Sequence, residues 1–158
     1  MAVHFLGRAH DAPEGVRVLD GGTLGLSLLP YLEEARHAIL VDAVRAEAPP
    51  GTLVRLDGDD VAPAVASRLS PHQIGVADLL DGARWRERYP ERLVLLGLVP
   101  ETLELGLHRS RAVEAALPAL VEAVVAEARS LGHLFSPKVS DEAAPSGSAV
   151  ALAQLYGL

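Results

Sequence analysis

Two stretches constrain this chain more than any others: His37-Ala38-Ile39-Leu40-Val41 and Arg92 to Val99, which reads RLVLLGLV. Both are continuously apolar, where a strand with one wet face would alternate. Such runs, short and bounded by breakers, are the mark of strands covered on both faces, as in α/β sheets. The first stops at Asp42 and the second at Pro100. Val16-Arg17-Val18-Leu19 is a third, β-branched run, closed by Asp20-Gly21-Gly22. Thr52 to Leu56 alternates, follows the Pro49-Pro50-Gly51 turn and ends at Asp57-Gly58. The link from Asp42 to Thr52 is too short for a helical crossover of about a dozen residues. The alternating strand is therefore expected antiparallel to His37–Val41 and near a sheet edge.

Helical patterns separate these strands. Leu24, Leu28, Leu29 and Leu32 recur at spacings of three and four behind Thr23, which suits a cap. Asp59 to Leu69 reads as a weak helix or irregular stretch. Ser70-Pro71-His72-Gln73 pairs an N-cap serine with a first-turn proline and a capping-box glutamine. A helix is expected from there to about Arg88. Ser110 caps another that runs to about Leu131, with a kink or fresh start at Pro118. The alternation of strand and helix predicts an α/β fold, a three-layer sandwich with a twisted, mostly parallel sheet, one antiparallel edge strand and helices on both faces. Residues 1–132 are expected to form one domain and residues 133–158, rich in Ser, Pro, Gly and charge, a flexible tail. Ala149 to Tyr156 has the pattern for a turn or two of helix at its end.

Composition narrows the function classes. The chain has 158 residues and a net charge of −7, with no basic run, so a grip on nucleic-acid phosphates is not expected. It has no cysteine, which excludes disulfides, thiolate metal sites and a cysteine nucleophile. Aromatic residues make up only 4%, so the core must be built from Leu, Val, Ile and Ala. Glu114, Glu122 and Glu127 interrupt the Ala/Val/Leu-rich stretch from Ala112 to Ala128, and no apolar run reaches the roughly 20 residues that cross a bilayer. No targeting signal is visible. A soluble, cytoplasmic protein without membrane insertion is expected.

In an open α/β sheet ligands bind beyond the carboxyl ends of the strands. Asp20-Gly21-Gly22-Thr23 follows the first strand there, Asp42 ends the second, and His72 lies at a helix start. The glycines admit a close backbone approach, though a plain strand-to-helix turn explains them too. Asp42 suits a metal ligand or a turn cap. At the second helical position His72 feels the positive end of the helix dipole, which favours the neutral imidazole that a metal ligand requires. A first-turn surface histidine has the same sequence. His4, His10, His37, His108 and His133 show no paired spacing and read as surface or packing residues. There is no P-loop, dinucleotide fingerprint, G-x-S-x-G elbow or H-E-x-x-H.

These residues also carry a resemblance. Asp20-Gly21-Gly22-Thr23-Leu24-Gly25, Ile39-Leu40-Val41-Asp42-Ala43-Val44, Ser70-Pro71-His72-Gln73-Ile74-Gly75 and Leu96-Gly97-Leu98-Val99-Pro100-Glu101-Thr102-Leu103-Glu104 stand in the order and spacing of the signatures of the nickel-iron hydrogenase maturation endopeptidases. The likeness runs from about Pro13 to Arg129. It implies an enzyme that removes the C-terminal extension of the nickel-loaded large-subunit precursor. The nickel belongs to the substrate and serves as a recognition handle. The family's strand-end Asp and motif His match Asp42 and His72, which are thereby expected to contact the metal and carry catalysis. Asp20, Gly21, Gly22 and Thr23 would lie beside the bound peptide.

The family also begins with a strand and a G-N-x-L-x-x-D-(E/D)-G-x-G loop holding a further acidic ligand, and nothing here matches them. Met1 to Ala12 aligns with the end of the helix that follows that loop, so the family's first strand is expected to be missing. Asp20, Asp57 and Glu101 are the carboxylates available as a third ligand. Two mechanisms fit: a metal that polarises the carbonyl or activates water, and Asp42 as general base beside the substrate's nickel. The alternatives are a relative that holds the nickel-loaded precursor without cleaving it and, last, a phosphate-binding α/β domain using the Gly21-Gly22 turn.

Overall fold

The computed structural model describes residues 2–22, 25–66, 75–102, 110–138 and 155–157; of 64–66 and 155–157 it describes the backbone alone. Helix α1 spans Ala2–Ala9 and strand β1 His10–Asp11. Strand β2, Val16–Val18, leads through a 3-10 turn, Gly25–Leu28, into helix α2, Leu29–Glu34. Strand β3 is His37–Ala43 and strand β4 Leu53–Asp57. Helices α3, Val61–Ala66, and α4, Val76–Trp85, precede strand β5, Arg92–Leu98. Helix α5, Arg111–Ser130, is followed by strands β6, Ser136–Pro137, and β7, Leu155–Gly157.

The main sheet has the order β2-β7-β3-β5-β4. At its centre β3 and β5 pair in parallel from His37↔Arg92 to Ala43↔Leu98. Their continuous hydrophobicity has a direct cause. Ala38, Leu40, Leu93 and Leu95 face one layer, with Leu32, Val61, Leu79, Leu80 and Ala83 of α2, α3 and α4. Ile39, Val94, Leu96 and Leu98 face the other, with Leu117, Leu120, Val121, Val124 and Val125 of α5 and Leu6 of α1. Burying one such leucine is worth about 1.5–3 kcal/mol, so the apolar residues of both strands contribute to one core or the other. Three layers result, as expected.

Strand β4 runs antiparallel to β5 at the sheet edge. It is thus antiparallel to β3 in direction, as its short connection requires, but β5 lies between the two. Arg55 of β4 forks onto Glu127 of α5, with Nε and Nη2 donating at 2.8 and 3.0 Å. That tie covers the edge strand with a helix.

Three features depart from the sequence expectation. A second antiparallel strand, β7, sits inside the sheet between β2 and β3. It comes from the segment that reads as a tail, whose composition carries no strand signal because main-chain pairing on both sides does not depend on side chains. The start of that segment is also engaged: β6 pairs with β1, Phe135 is buried, and Lys138 donates from Nζ to the Gly7 carbonyl at 2.6 Å. Finally, of the kink or fresh start expected at Pro118, the fresh start is not taken: α5 runs unbroken from Arg111 to Ser130. The proline is exposed, and the opposite face buries Leu117, Leu120, Val121, Val124, Val125 and Ala128, which outweighs the one backbone bond lost. Ser110 caps α5 as expected, its Oγ accepting from the Val113 N–H at 3.3 Å.

At the amino end of β3, His37 meets His133 edge to face, ring centroids 5.8 Å apart. Burial lowers the pKa of His37, and His133, Arg36 and Arg92 add to the effect against Glu91. The unfolded chain therefore takes up this proton first as pH falls below about 6.5. Stability should drop across that range, and His37→Asn should flatten the drop in urea midpoints between pH 7.5 and 5.5. Gly97 supplies a second test. A Cβ there would lie 2.5 Å from the Asp42 carbonyl oxygen and overlap the Val44 side chain. Gly97→Ala should lower stability by about 1–3 kcal/mol in urea titration. Gly7→Ala, with nothing within 4 Å of the new methyl, should be neutral or better.

Candidate functional site

The strands β2, β3 and β5 point the same way, so their carboxyl ends share one edge. Asp42 is the penultimate residue of β3 on that edge, paired with Gly97 of β5. Its side chain is exposed, and its Oδ1 accepts the Ala43 N–H at 2.7 Å. Because position 97 carries no side chain, β5 comes close beside Asp42 and Val44 lies over the glycine. The Val44 N–H continues the pairing onto the Leu98 carbonyl at 2.9 Å. The carboxylate therefore stands on one of the most firmly held stretches of backbone in the molecule.

Val18 and Ile39 both stand opposite Leu155, which sets β2 and β3 in register. Asp20 lies two residues beyond Val18 along the chain. Its Oδ1 accepts the Gly22 N–H at 3.0 Å and folds the loop into a tight turn, with Gly22 at φ +42°. Gly25 follows at φ +47°, a left-handed conformation costly for any residue with a Cβ. It opens the 3-10 turn that feeds α2.

The decisive contact joins two motifs that lie far apart in sequence. Gly75, which ends S-P-H-Q-I-G and caps α4, packs on Gly25, which ends D-G-G-T-L-G: a Cβ on Gly75 would sit 3.5 Å from Gly25 Cα. Gly82, two turns along α4, lies under Leu26 and Leu29 in the same way. The helix that follows the histidine motif is thereby docked on the loop that follows β2. Thr23 and residues 67–74, His72 among them, lie outside the described residues. The expected cap at Ser70 and helix start at Pro71 lie there too; the described helix starts at Val76.

The remaining carboxylates separate clearly. Asp57 pairs through β5 at the level of Val94, hence of Ile39, three residues short of Asp42 and two strands away. That is about 10 Å along the strand and about 10 Å across it. Its Oδ2 accepts from Arg55 and Arg92, each at 3.3 Å, so it serves the edge of the sheet. Glu101 follows β5 at the same edge as Asp42 and is exposed. No group of three or more His, Asp or Glu able to hold a metal ion is found among the described residues.

Gly97 and the Gly25–Gly75 contact are the parts that sequence reasoning missed. A glycine inside the apolar run LLGL was a signal for close approach of another backbone. Nothing in sequence announces that Gly25 and Gly75 meet.

An α/β protein with an exposed aspartate at a strand's carboxyl end and a Gly25–Gly75 contact beyond it matches one family in sequence and structure. The profile of the hydrogenase maturation proteases (HycI) matches residues 1–127. The hydrogenase 2 maturation protease of Escherichia coli K12 is 35% identical over 137 residues, which are 86% of this chain and 84% of that protein. HupD of Rhodobacter capsulatus, a hydrogenase expression/formation protein, is 44% identical over 103 residues, and this chain spans only 49% of its length. The solved structure of the E. coli hydrogenase maturating endopeptidase HybD superposes with a TM-score of 0.80 at 35% identity, covering 87% of this chain and 85% of that one. A hydrogenase 2 maturation peptidase from a thaumarchaeote superposes with a TM-score of 0.58 at 30% identity, over 83% and 85% of the two chains. The chain is thus a peptidase built on an α/β fold. It belongs to the hydrogenase maturation protease family.

The backbone at Gly25 favours glycine. Gly25→Ala should cost about 1–2 kcal/mol from its left-handed backbone alone. Differential scanning calorimetry should read this as a fall of roughly 2–8 °C in Tm.

Proposed function

We propose that the chain removes the C-terminal extension of a hydrogenase large-subunit precursor once nickel has been inserted, and that it does so as a soluble cytoplasmic enzyme. The observation that carries this reading is the exposed Asp42 carboxylate at the carboxyl end of β3, on the sheet edge from which the Asp20–Gly22 turn also leaves β2, with Gly75 at the start of α4 packed on Gly25 beyond that turn. Peptide hydrolysis needs a water held at the scissile carbonyl and a group that takes its proton. Asp42 is the base in this scheme. Its Oδ1 is oriented by the Ala43 N–H, and its strand is braced by the close β5 contact.

His72 is assigned beside it, on the S-P-H-Q motif that leads into α4. The nickel is cargo of the substrate, and Asp42 and His72 are the oxygen and nitrogen donors that would touch it there. The turn at Asp20, Gly21, Gly22 and Thr23 is placed alongside the extension. Its tight backbone, with Gly22 in a positive-φ conformation, leaves room for a peptide chain to pass.

The test is the intact mass of a nickel-loaded precursor after incubation with the chain. Loss of the extension is expected with wild type. Asp42→Asn removes the base with little change in shape, so cleavage should slow by about 10²–10⁴-fold. Precursor binding, read by gel filtration, should persist. Asp57→Asn, which touches only the edge of the sheet, should cleave as wild type does. An intact precursor bound to wild type would reassign the chain as a holder of the precursor, and equal rates for wild type and Asp42→Asn would remove Asp42 from the mechanism.

A further inference from the structure

Trp85 is the chain's one tryptophan, and neither core uses it: it stands at the end of α4 with 94% of its surface in solvent. Single exposed leucines such as Leu53 and Leu134 are ordinary on a protein surface. Trp85 differs in size and in company. Gly82, three residues earlier, lies on the same face of α4. Its missing side chain lets Leu26 and Leu29 rest against the helix: a Cβ there would lie 3.5 Å from Leu29 Cδ2 and 3.8 Å from Leu26 Cδ2. Leu26 is itself 55% exposed. Leu26, the Gly82 backbone and Trp85 therefore form one apolar strip.

A depression of about 470 Å³, bounded by Asp81, Gly82, Arg84 and Trp85, lies over this strip and is open to solvent. Small-molecule sites of such a size are concave and bury most of their ligand. An open one suits a side chain that protrudes from a folded protein. The cations at its rim are already committed: Arg84 pairs with Asp59 at 3.2 Å, and Arg86 pairs with Glu33 of α2 at 2.8 Å. An aromatic anchor among apolar neighbours, rimmed by arginine ion pairs, has the make-up of a protein–protein interface and not of a site for a charged ligand.

Helix α4 sets where the strip lies. At its start Gly75 packs on Gly25, beyond the carboxyl end of β2, and β3 presents Asp42 at that same edge. The ten residues of α4, at a rise of about 1.5 Å each, place Trp85 about 15 Å away, toward the amino end of β5. The strip thus starts near the edge proposed for cleavage and descends one flank of the sheet.

We infer that the Leu26–Gly82–Trp85 strip is a docking surface for the folded body of the large-subunit precursor, separate from the groups that cut it. The inference rests on the proposed cleavage reaction and names how that substrate is held. A protein cut only near its end brings a body larger than its extension. With the scissile region at Asp42, such a body covers a flank of the sheet as well as its edge, and the strip supplies an anchor on the flank that continues from that edge.

The test uses the single tryptophan. A ring-fluorinated tryptophan gives the full chain one fluorine resonance. Titrating nickel-loaded precursor into labelled Asp42→Asn chain should move that resonance and abolish its solvent isotope shift between light and heavy water. Trp85→Ser and Leu26→Ser should each weaken precursor binding, read by interferometry, by at least about tenfold. In cleavage assays the same two variants should raise KM by a similar factor with kcat unchanged. Trp85→Ser should leave Tm unchanged, because the side chain is not buried. Leu134→Ser, an exposed leucine elsewhere, should bind and cleave as wild type does.

Precursor that binds without moving the resonance, or binds Trp85→Ser and wild type with equal Kd, would overturn the docking surface and leave the proposed reaction intact. A resonance that moves on binding, with no cleavage by wild type, would count against the reaction and leave the surface standing. A resonance that moves with the chain's own concentration, with a dimer in sedimentation, would overturn the assignment in favour of a second copy. A precursor that no form of the chain binds would overturn both.

Discussion

The parallel pairing of β3 and β5 is the constraint from which the rest of the molecule follows. It sets two strands side by side with cores on both faces, which forces helices onto both sides of the sheet. It also fixes where the two strands end, and so where Asp42 stands. The pairing is tightest at Gly97, where a missing side chain lets the Asp42 carbonyl and the Val44 side chain occupy space that any Cβ would claim. A carboxylate on such a strand cannot drift with the loops around it.

The elements beyond the end of β2 obtain their order differently. Gly25 and Gly75 lie outside the sheet and pack glycine on glycine, and α4 lies across the 3-10 turn, with Gly82 under Leu26 and Leu29. Three small residues thus replace what side-chain interdigitation would do elsewhere, and they bring the backbone of one motif against the backbone of the other. The exposed flank of this arrangement is apolar: Leu26 and Trp85 both face solvent, Trp85 at 94% exposure.

The central layer was legible because its signal is thermodynamic. Ile39-Leu40-Val41 and Leu93 to Leu98 have no polar face to offer water, so only a doubly covered strand suits them. The α5 cap at Ser110 was legible for a similar reason, since a local hydrogen bond is written in local sequence. Asp42 could be placed at a strand end and at the right edge. What sequence could not supply was everything that depends on pairing at a distance. The meeting of Gly25 with Gly75 spans 50 residues (75 − 25) and involves no side chain. The continuity of α5 through Pro118 depends on the apolar face beneath it, which outweighs a strong local rule. The place of β7 was the least legible of all, because a strand held on both sides by backbone needs no pattern of its own.

That last point bears on how the sheet is completed. Among the described residues β2 pairs with β7 in the main sheet, so its attachment there runs through Leu155–Gly157. The rest of β2's support comes from Val16 and Val18 against the α5 layer.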